Sequence, residues 1–324
     1  MLESILNLLA DGKVHSEKEI SKLLGIPCMM IPTILEEIPN ASINLEVINN
    51  KNYRILGGLE LLNAAYIAKK IGVTKLLLSK LEVLRLVDST NNYLLNQTKC
   101  IGNYAVFAEQ QTAGRGQFKR TWYSNFGKNI ALSLLWQFSI PMNKLTGLTL
   151  TVGVAVIKAL EEYGLKGIQL KWPNDIIHQG KKLAGILIES RSIEQKIKKM
   201  VIGIGLNLYV PVTPSFINDQ ITSIFSLQKL TPQRNQLAGL ILKNLLLTLV
   251  DFEAKGLNFF IEDIQRLDNL SGKLITVQNQ NNFLEGIGRG INMQGQLCVQ
   301  INNKTYCFNS GEIRVKLKSV LFDS

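Results

Sequence analysis

Histidine and cysteine are scarce in this chain. Its 324 residues hold two histidines, His15 and His178, and four scattered cysteines, Cys28, Cys100, Cys298 and Cys307. Two isolated imidazoles argue against zinc chemistry, which draws on clustered His, Cys or carboxylate ligands, so no metal site built by the protein is expected. Four dispersed cysteines do not make a disulfide framework. Only Cys298 and Cys307 are near enough in sequence to become neighbours, and a reduced, cytoplasmic setting is expected. No run of ~18 apolar residues is free of charges or turn residues, so no membrane span is expected. The N-terminus carries Glu3 and Asp11 and no basic stretch ahead of an apolar core, and it does not read as a signal peptide.

What is present is a globular composition, 46% hydrophobic and 19% charged, long enough for two or three domains. The net charge is +11, and it is unevenly spread. Residues 1–60 contain five Lys/Arg and eight Asp/Glu, a net −3, so the remainder carries +14. The positive field therefore belongs to the body of the protein. It suits nucleic acid, an anionic substrate or an acidic partner.

The front end reads as three short helices and a hairpin. Leu2, Ile5, Leu6 and Leu9 share a helical face. Ser16 with Glu19 forms a capping box for a second helix that Gly25 ends. A third helical segment spans 28–37, with Pro32 expected to shorten or kink it. Ile43, Leu45 and Val47 alternate before an Asn-Asn-Lys-Asn turn at 49–52. This pattern is a winged helix-turn-helix over 1–60. Its third segment has no Lys, Arg, Asn or Gln and is charged only by Glu36 and Glu37. A DNA-reading helix needs such side chains, so a structural or regulatory module stands beside a DNA-binding one.

Residues 65–265 alternate strands and helices, which indicates a mixed α/β catalytic domain. Leu84–Val87 is a strand that leads into Asp88-Ser89-Thr90-Asn91, either an ordinary helix cap or a ligand-facing helix N-terminus. Strands are expected at 104–108, 129–136, 168–172, 183–188 and 200–208, with a long helix at 145–163. Gly203 and Gly205 weaken the last strand, so something is expected to come close to its backbone. Residues 209–230, with Pro211 and Pro214, form a polar loop expected to be mobile. Thr231 and Pro232 are expected to start a helix that runs to Lys255. From 270 to 324, five short strands punctuated by glycine read as a small, separately folded β-barrel.

The chemistry centres on Gln110 to Trp122, Gln-Gln-Thr-Ala-Gly-Arg-Gly-Gln-Phe-Lys-Arg-Thr-Trp. Gly114 and Gly116 flank Arg115, and Lys119 and Arg120 add two more cations. The stretch is either a basic surface loop or a loop that folds over an anion with backbone donors and guanidinium groups. Lys171-Trp172-Pro173-Asn174-Asp175 and Lys181-Lys182-Leu183-Ala184-Gly185-Ile186-Leu187-Ile188-Glu189 favour the second reading. Both place lysine, amide or acid groups at the edges of buried strands.

Together with Asp88-Ser89-Thr90-Asn91, Gly203-Ile204-Gly205-Leu206-Asn207 and Ser310-Gly311-Glu312, these segments resemble biotin–protein ligases. The resemblance is to the bifunctional bacterial form that also represses biotin synthesis, and it covers almost the whole chain. It implies a winged helix-turn-helix, a catalytic domain like that of class II aminoacyl-tRNA synthetases, and an SH3-like C-terminal barrel. It implies that biotin and ATP with Mg²⁺ give biotinyl-5′-AMP. A lysine of the biotin carboxyl carrier protein of acetyl-CoA carboxylase then takes the biotin. By the same resemblance Ser89, Thr90, Gln111, Arg115, Gly116, Lys182 and Gly185 bind biotin. Gly114, Arg115, Arg120, Trp122, Lys171, Asn174 and Asn207 bind ATP or the adenylate, and Lys182 and Arg115 are catalytic. It also implies operator DNA as a partner and a homodimer.

The loop departs from the family pattern Gly-Arg-Gly-Arg-x-Gly-Arg-x-Trp. Gln117 replaces the second arginine and cannot carry its charge. Lys119 replaces a glycine and cannot easily take φ > 0. Two competing readings are a biotin-sensing repressor with weak or no ligase activity and an RNA-binding accessory protein. The second ranks last, because aromatics are not interleaved with the basic residues.

Overall fold

The structure, a computed structural model, describes residues 1–37, 43–97, 101–190, 198–210, 220–279 and 282–317. Cys100, and Pro211 and Pro214 of the loop expected to be mobile, lie outside the described residues.

The N-terminal unit is built on a small core that also takes in Phe126 from the body of the chain. Helices α1 (Leu2–Leu9), α2 (Glu17–Leu24) and α3 (Ile31–Glu36) surround Ile5, Leu9, Ile20, Ile31 and Ile34, all buried. Ser16 caps α2 by accepting from the Glu19 backbone N–H at 3.2 Å. The reciprocal half of the expected capping box is diverted. The Glu19 carboxylate meets His15 Nδ1 at 3.1 Å, and Asp11 takes the other ring nitrogen. Pro32 sits in the first turn of α3, where a missing N–H costs nothing, and a 3-10 turn over Cys28–Met30 leads into it, so the segment is helical from Cys28 as expected. Strands β1 (His15–Ser16), β2 (Leu45–Ile48) and β3 (Asn52–Ile55) form an antiparallel sheet in the order β1-β3-β2. Asn49 and Asn50 both take positive φ, as a tight hairpin turn requires.

The central body is a seven-stranded mixed sheet. Its strands are β4 (Lys80–Val87), β5 (Tyr104–Gln111), β6 (Asn129–Phe138), β7 (Ile168–Lys171), β8 (Asp175–His178), β9 (Lys181–Ser190) and β10 (Lys198–Asn207). Their order is β4-β5-β6-β10-β9-β8-β7. Only β4 and β5 are parallel, and the short helix α5 (Thr90–Leu95) makes their crossover. The first five residues of β5, 104–108, read as an unbroken apolar run because both faces are covered there. Ala105 and Phe107 join the main core, which includes α4 (Ala64–Ile71) and α6 (Leu148–Glu162). Tyr104 and Val106 pack with Leu94 of α5 on the other side.

A buried ion pair ties the segment after the N-terminal unit to this body. Arg234 and Glu109 are both buried, and the guanidinium donates to Glu109, to the Asn129 carbonyl and to the Glu60 carbonyl. The second Glu109 oxygen accepts from the Leu62 backbone N–H at 2.6 Å. After α7 (Ile224–Gln228), helix α8 therefore spans Arg234–Lys255 and does not start at Thr231 and Pro232 as expected. Its first free donors, the backbone N–H groups of Arg234 and Asn235, are taken by the Glu60 carboxylate, a cap supplied from 174 residues away.

Helix α9 (Ile261–Leu267) leads to a five-stranded antiparallel sheet, β11 (Leu274–Asn279), β12 (Asn282–Ile291), β13 (Leu297–Ile301), β14 (Lys304–Phe308) and β15 (Arg314–Leu317). The order is β14-β13-β12-β11-β15, and among the described residues no pairing joins β14 to β15. The barrel expected from the sequence is thus an open sheet here. Nor is it packed separately. Ile275, Val277, Ile291, Leu297, Val299 and Ile313 belong to the same buried cluster as the core of the seven-stranded body. Trp172 donates its indole N–H to the Gly295 carbonyl at 3.2 Å across that junction. Among the described residues no helix is long and apolar enough to cross a membrane.

Candidate active site

Where β4 ends, Ser89 turns into extended backbone and caps α5, so Ser89, Thr90 and Asn91 are buried at the carboxyl edge of the sheet. Gln111, at the end of the neighbouring strand, faces them. Its Oε1 accepts from the Thr90 backbone N–H at 2.9 Å and from Thr90 Oγ1 at 3.0 Å. That leaves the Gln111 NH2 group beside Gly114.

A polar chain runs on from Thr90 through residues that the sequence reading did not single out. Ser133 Oγ, fully buried on β6, lies 2.7 Å from Thr90 Oγ1 and 2.6 Å from Asn91 Oδ1. The Asn91 amide donates to the Glu189 carboxylate at 2.8 Å, and Arg115 donates to the same oxygen at 3.0 Å. The expected biotin residues Thr90 and Gln111 are thereby connected to the loop arginine. Two signals were present. Ser133 is a hydroxyl inside the apolar run 130–136, and Glu189 closes the Lys181–Glu189 stretch.

The glycines of β10 admit this chain. A Cβ on Gly203 would lie 2.3 Å from Asn91 Oδ1, and one on Gly205 would lie 2.4 Å from the Trp122 ring. The close approach expected at these two positions is therefore made by Asn91 and Trp122. Gly205→Ala is expected to force the indole aside and destabilise the protein by ~1–3 kcal/mol, the usual range for overpacking. Denaturant unfolding together with tryptophan fluorescence checks it. Unchanged stability and emission would mean that the ring does not rest on Gly205.

The loop itself is a narrow hairpin. Trp122 N–H donates to the Gly114 carbonyl at 2.9 Å, and Gly116 N–H to the Arg120 carbonyl at 2.7 Å. Gly114 is needed for space, since a Cβ there would meet the Trp122 carbonyl at 2.5 Å. The positive φ expected to trouble Lys119 falls on Phe118, at 57°. The Lys119 side chain lies outside the described residues. The Phe118 ring has the guanidinium groups of Arg120 and Arg314 at 5.8 and 5.3 Å from its centroid. The loop and the C-terminal sheet bound a cleft of about 840 Å³, lined by Arg115, Phe118, Arg120, Glu189, Ser310 and Gly311 among others.

Lys182 stands on β9 apart from the lining of that cleft. Its ammonium is 2.6 Å from Asp175 Oδ1 and 5.8 Å from the Trp122 ring centroid. Gly185 leaves room beneath it, because a Cβ there would be 3.1 Å from Nζ. Lys171 is directly opposite Asp175 in the β7–β8 ladder. The Trp122 indole nitrogen is buried with no hydrogen-bond partner. Two expected adenylate residues are engaged in the scaffold. Asn174 donates to the Ile186 carbonyl at 2.8 Å, and Asn207 is buried between Asn129 and the Thr222 carbonyl. Among the described residues no group of three or more His, Cys, Asp or Glu could hold a metal ion.

Comparison with known proteins agrees with this geometry. Residues 83–207 match the biotin/lipoate A/B protein ligase family. The chain is 29% identical to the bifunctional ligase/repressor BirA of Escherichia coli over 313 residues, 96% of each chain. It is 32% identical to the Bacillus subtilis protein of that name over 235 residues, 72% of this chain and 71% of that one. Among solved structures, the biotin protein ligase from Aquifex aeolicus in complex with biotin and ATP superposes with a TM-score of 0.65 at 26% identity. It covers 74% of this chain and all of that one. A loop arginine, a carboxylate-held lysine and a buried polar pocket on one mixed sheet, together with these likenesses, place the chain in the biotin protein ligase family.

Proposed function

We propose that the protein attaches biotin to a lysine of a biotin carboxyl carrier protein in two ATP-driven steps. The observation that supports this reading is the hydrogen-bonded chain Gln111–Thr90–Ser133–Asn91–Glu189–Arg115, in which the Thr90 backbone N–H donates to Gln111 and the pocket around Ser89–Asn91 is tied to the Gly114–Arg120 loop. In the first step a biotin carboxylate oxygen attacks the α-phosphorus of ATP, and the bond to pyrophosphate breaks. Two anions must meet, so fixed cations are needed where charge develops. Lys182, held by Asp175, and Arg115, held by Glu189, are those cations. In the second step the carrier's lysine amine attacks the anhydride carbonyl, loses a proton and expels AMP.

Ser89, Thr90 and Gln111 hold the biotin ring, with Gly116 and Gly185 leaving space for its chain. Gly114, Arg120 and Trp122 cover the nucleotide, and Lys171 adds charge at the phosphates. Mg²⁺ comes with the triphosphate and draws on no dedicated protein site. Asn174 and Asn207 act through the scaffold. The +14 body suits an acidic carrier surface and speeds encounter.

Glu189 is a positioning residue in this scheme. Glu189→Ala is expected to lower kcat/KM for ATP by about ten- to a hundredfold, since a hydrogen bond to a charged group is worth ~1.5–3 kcal/mol. Glu189→Gln keeps an acceptor for Asn91 and is expected to recover part of the loss. Steady-state kinetics of the two variants decide it, and equal activity of Glu189→Ala and wild type would remove Glu189 from the site.

The domain reading is 1–60 as a winged helix-turn-helix, 65–265 as the ligase domain and 270–324 as an SH3-like module. The relatives named ligase/repressor support a second role as a repressor, which this reading takes to be biotin-dependent and exerted by a homodimer at operator DNA. The outer surface around α3 offers exposed Met29, Met30, Thr33, Glu36 and Glu37, with no cation to neutralise a phosphate. DNA contact would have to come from Lys51, Arg54 and flanking groups.

A further inference from the structure

Cys298 and Cys307 take no part in the reaction above. Their strands, β13 and β14, are joined by Asn302 and Asn303, both at positive φ (46° and 64°), a two-residue turn of the mirror-image kind. In such a hairpin the residues flanking the turn, Ile301 and Lys304, form a hydrogen-bonded pair, and pair types alternate outward. Cys298 and Cys307 are register partners three steps out, and so occupy a non-hydrogen-bonded position. Facing Cα atoms there are ~4.5 Å apart, within the span of a disulfide, so the backbone need not move to close one. The two sulfurs are in contact at 2.6 Å, and both residues are free thiols, Cys307 exposed and Cys298 partly so. Cys307 is the more exposed of the two and meets an oxidant from solution first, while burial and the neighbouring sulfur push the Cys298 thiol up.

We propose that Cys298 and Cys307 form a reversible thiol–disulfide modification site closed by a low-molecular-weight disulfide. The Cys307 thiolate attacks one sulfur of that oxidant, forming a mixed disulfide and expelling one thiolate. Cys298 gives up its proton, and its sulfur attacks Cys307 Sγ, expelling the second thiolate. Two protein thiols are oxidised, one small disulfide is reduced to two thiols, and the two protons pass to the expelled thiolates. The bond staples the hairpin whose exit leads to Ser310 and Gly311 on the rim of the cleft.

The test uses the reduced full chain, equilibrated with glutathione disulfide at rising ratio to glutathione, quenched in acid and alkylated for peptide mapping. Cys298 and Cys307 are expected to lose alkylation together and to yield one cross-linked peptide pair that dithiothreitol releases. Cys298→Ser is expected to stop at a mixed disulfide on Cys307. The proposal is overturned if both thiols stay alkylated at ratios that modify Cys28. It is equally overturned if the wild-type chain ends as two separate glutathione adducts.

Discussion

Replacing Lys182 with alanine is expected to lower biotinyl-adenylate formation by at least about a hundredfold while the protein stays folded. Removing one well-aimed donor from a charge-stabilising site typically costs 10²–10³ in rate, or about 3–4 kcal/mol. Lys182 has the features of such a donor. Its ammonium is fixed 2.6 Å from Asp175, its stem crosses the space left by Gly185, and the Trp122 ring is nearby. The side chain is about a third exposed, so its loss opens no large cavity and leaves no buried charge bare. Adenylate yield from biotin and ATP, with circular dichroism as the check on folding, measures the effect. A folded variant that makes adenylate at the wild-type rate would take Lys182 out of the reacting centre. Arg115→Ala is a weaker test, because it also takes one of two donors from the Glu189 oxygen and leaves Asn91 as the other.

The largest loss of stability is expected at Glu109, outside the reacting groups. Glu109→Ala strands the buried Arg234 guanidinium among carbonyls, and it removes the acceptor for the Leu62 N–H. Breaking a buried pair from one side costs ~3–5 kcal/mol, because the remaining charge stays desolvated. Denaturant unfolding should show the midpoint falling at an unchanged slope. Glu109→Ala combined with Arg234→Met should lose less than the two single variants added together, since the double variant leaves no unpaired charge. A single variant within ~0.5 kcal/mol of wild type would mean that solvent reaches this pair.

The segments that carry chemistry were legible wherever a local pattern sufficed. Ser89 caps a helix as its position demanded, the Gly-Arg-Gly loop turns back on itself, and Gly203 and Gly205 do mark close approach. Long-range pairing was not legible. Ser133 reaches Asn91 across 42 residues, and Asn91 reaches Glu189 across 98, through a sheet register that no local window reveals. The start of α8 was misplaced for the same reason, because Glu60 supplies its cap. The C-terminal strands showed the right period and turns. Alternation says which residues face inward but not what they face, and here they face the catalytic core. Within the loop, the departure at Lys119 pointed to altered geometry, and the strain sits one residue earlier at Phe118.

The central claim is that this sheet edge activates biotin. Biotin-dependent exchange of labelled pyrophosphate into ATP tests it most directly, with lipoate as the control acid. Exchange is expected with biotin and not with lipoate: in the proposed site the Gln111 NH2 group, whose Oε1 is already taken by Thr90, donates to a ring carbonyl that a dithiolane lacks. A folded protein that shows no exchange with biotin, with ATP and Mg²⁺ present, would contradict the account.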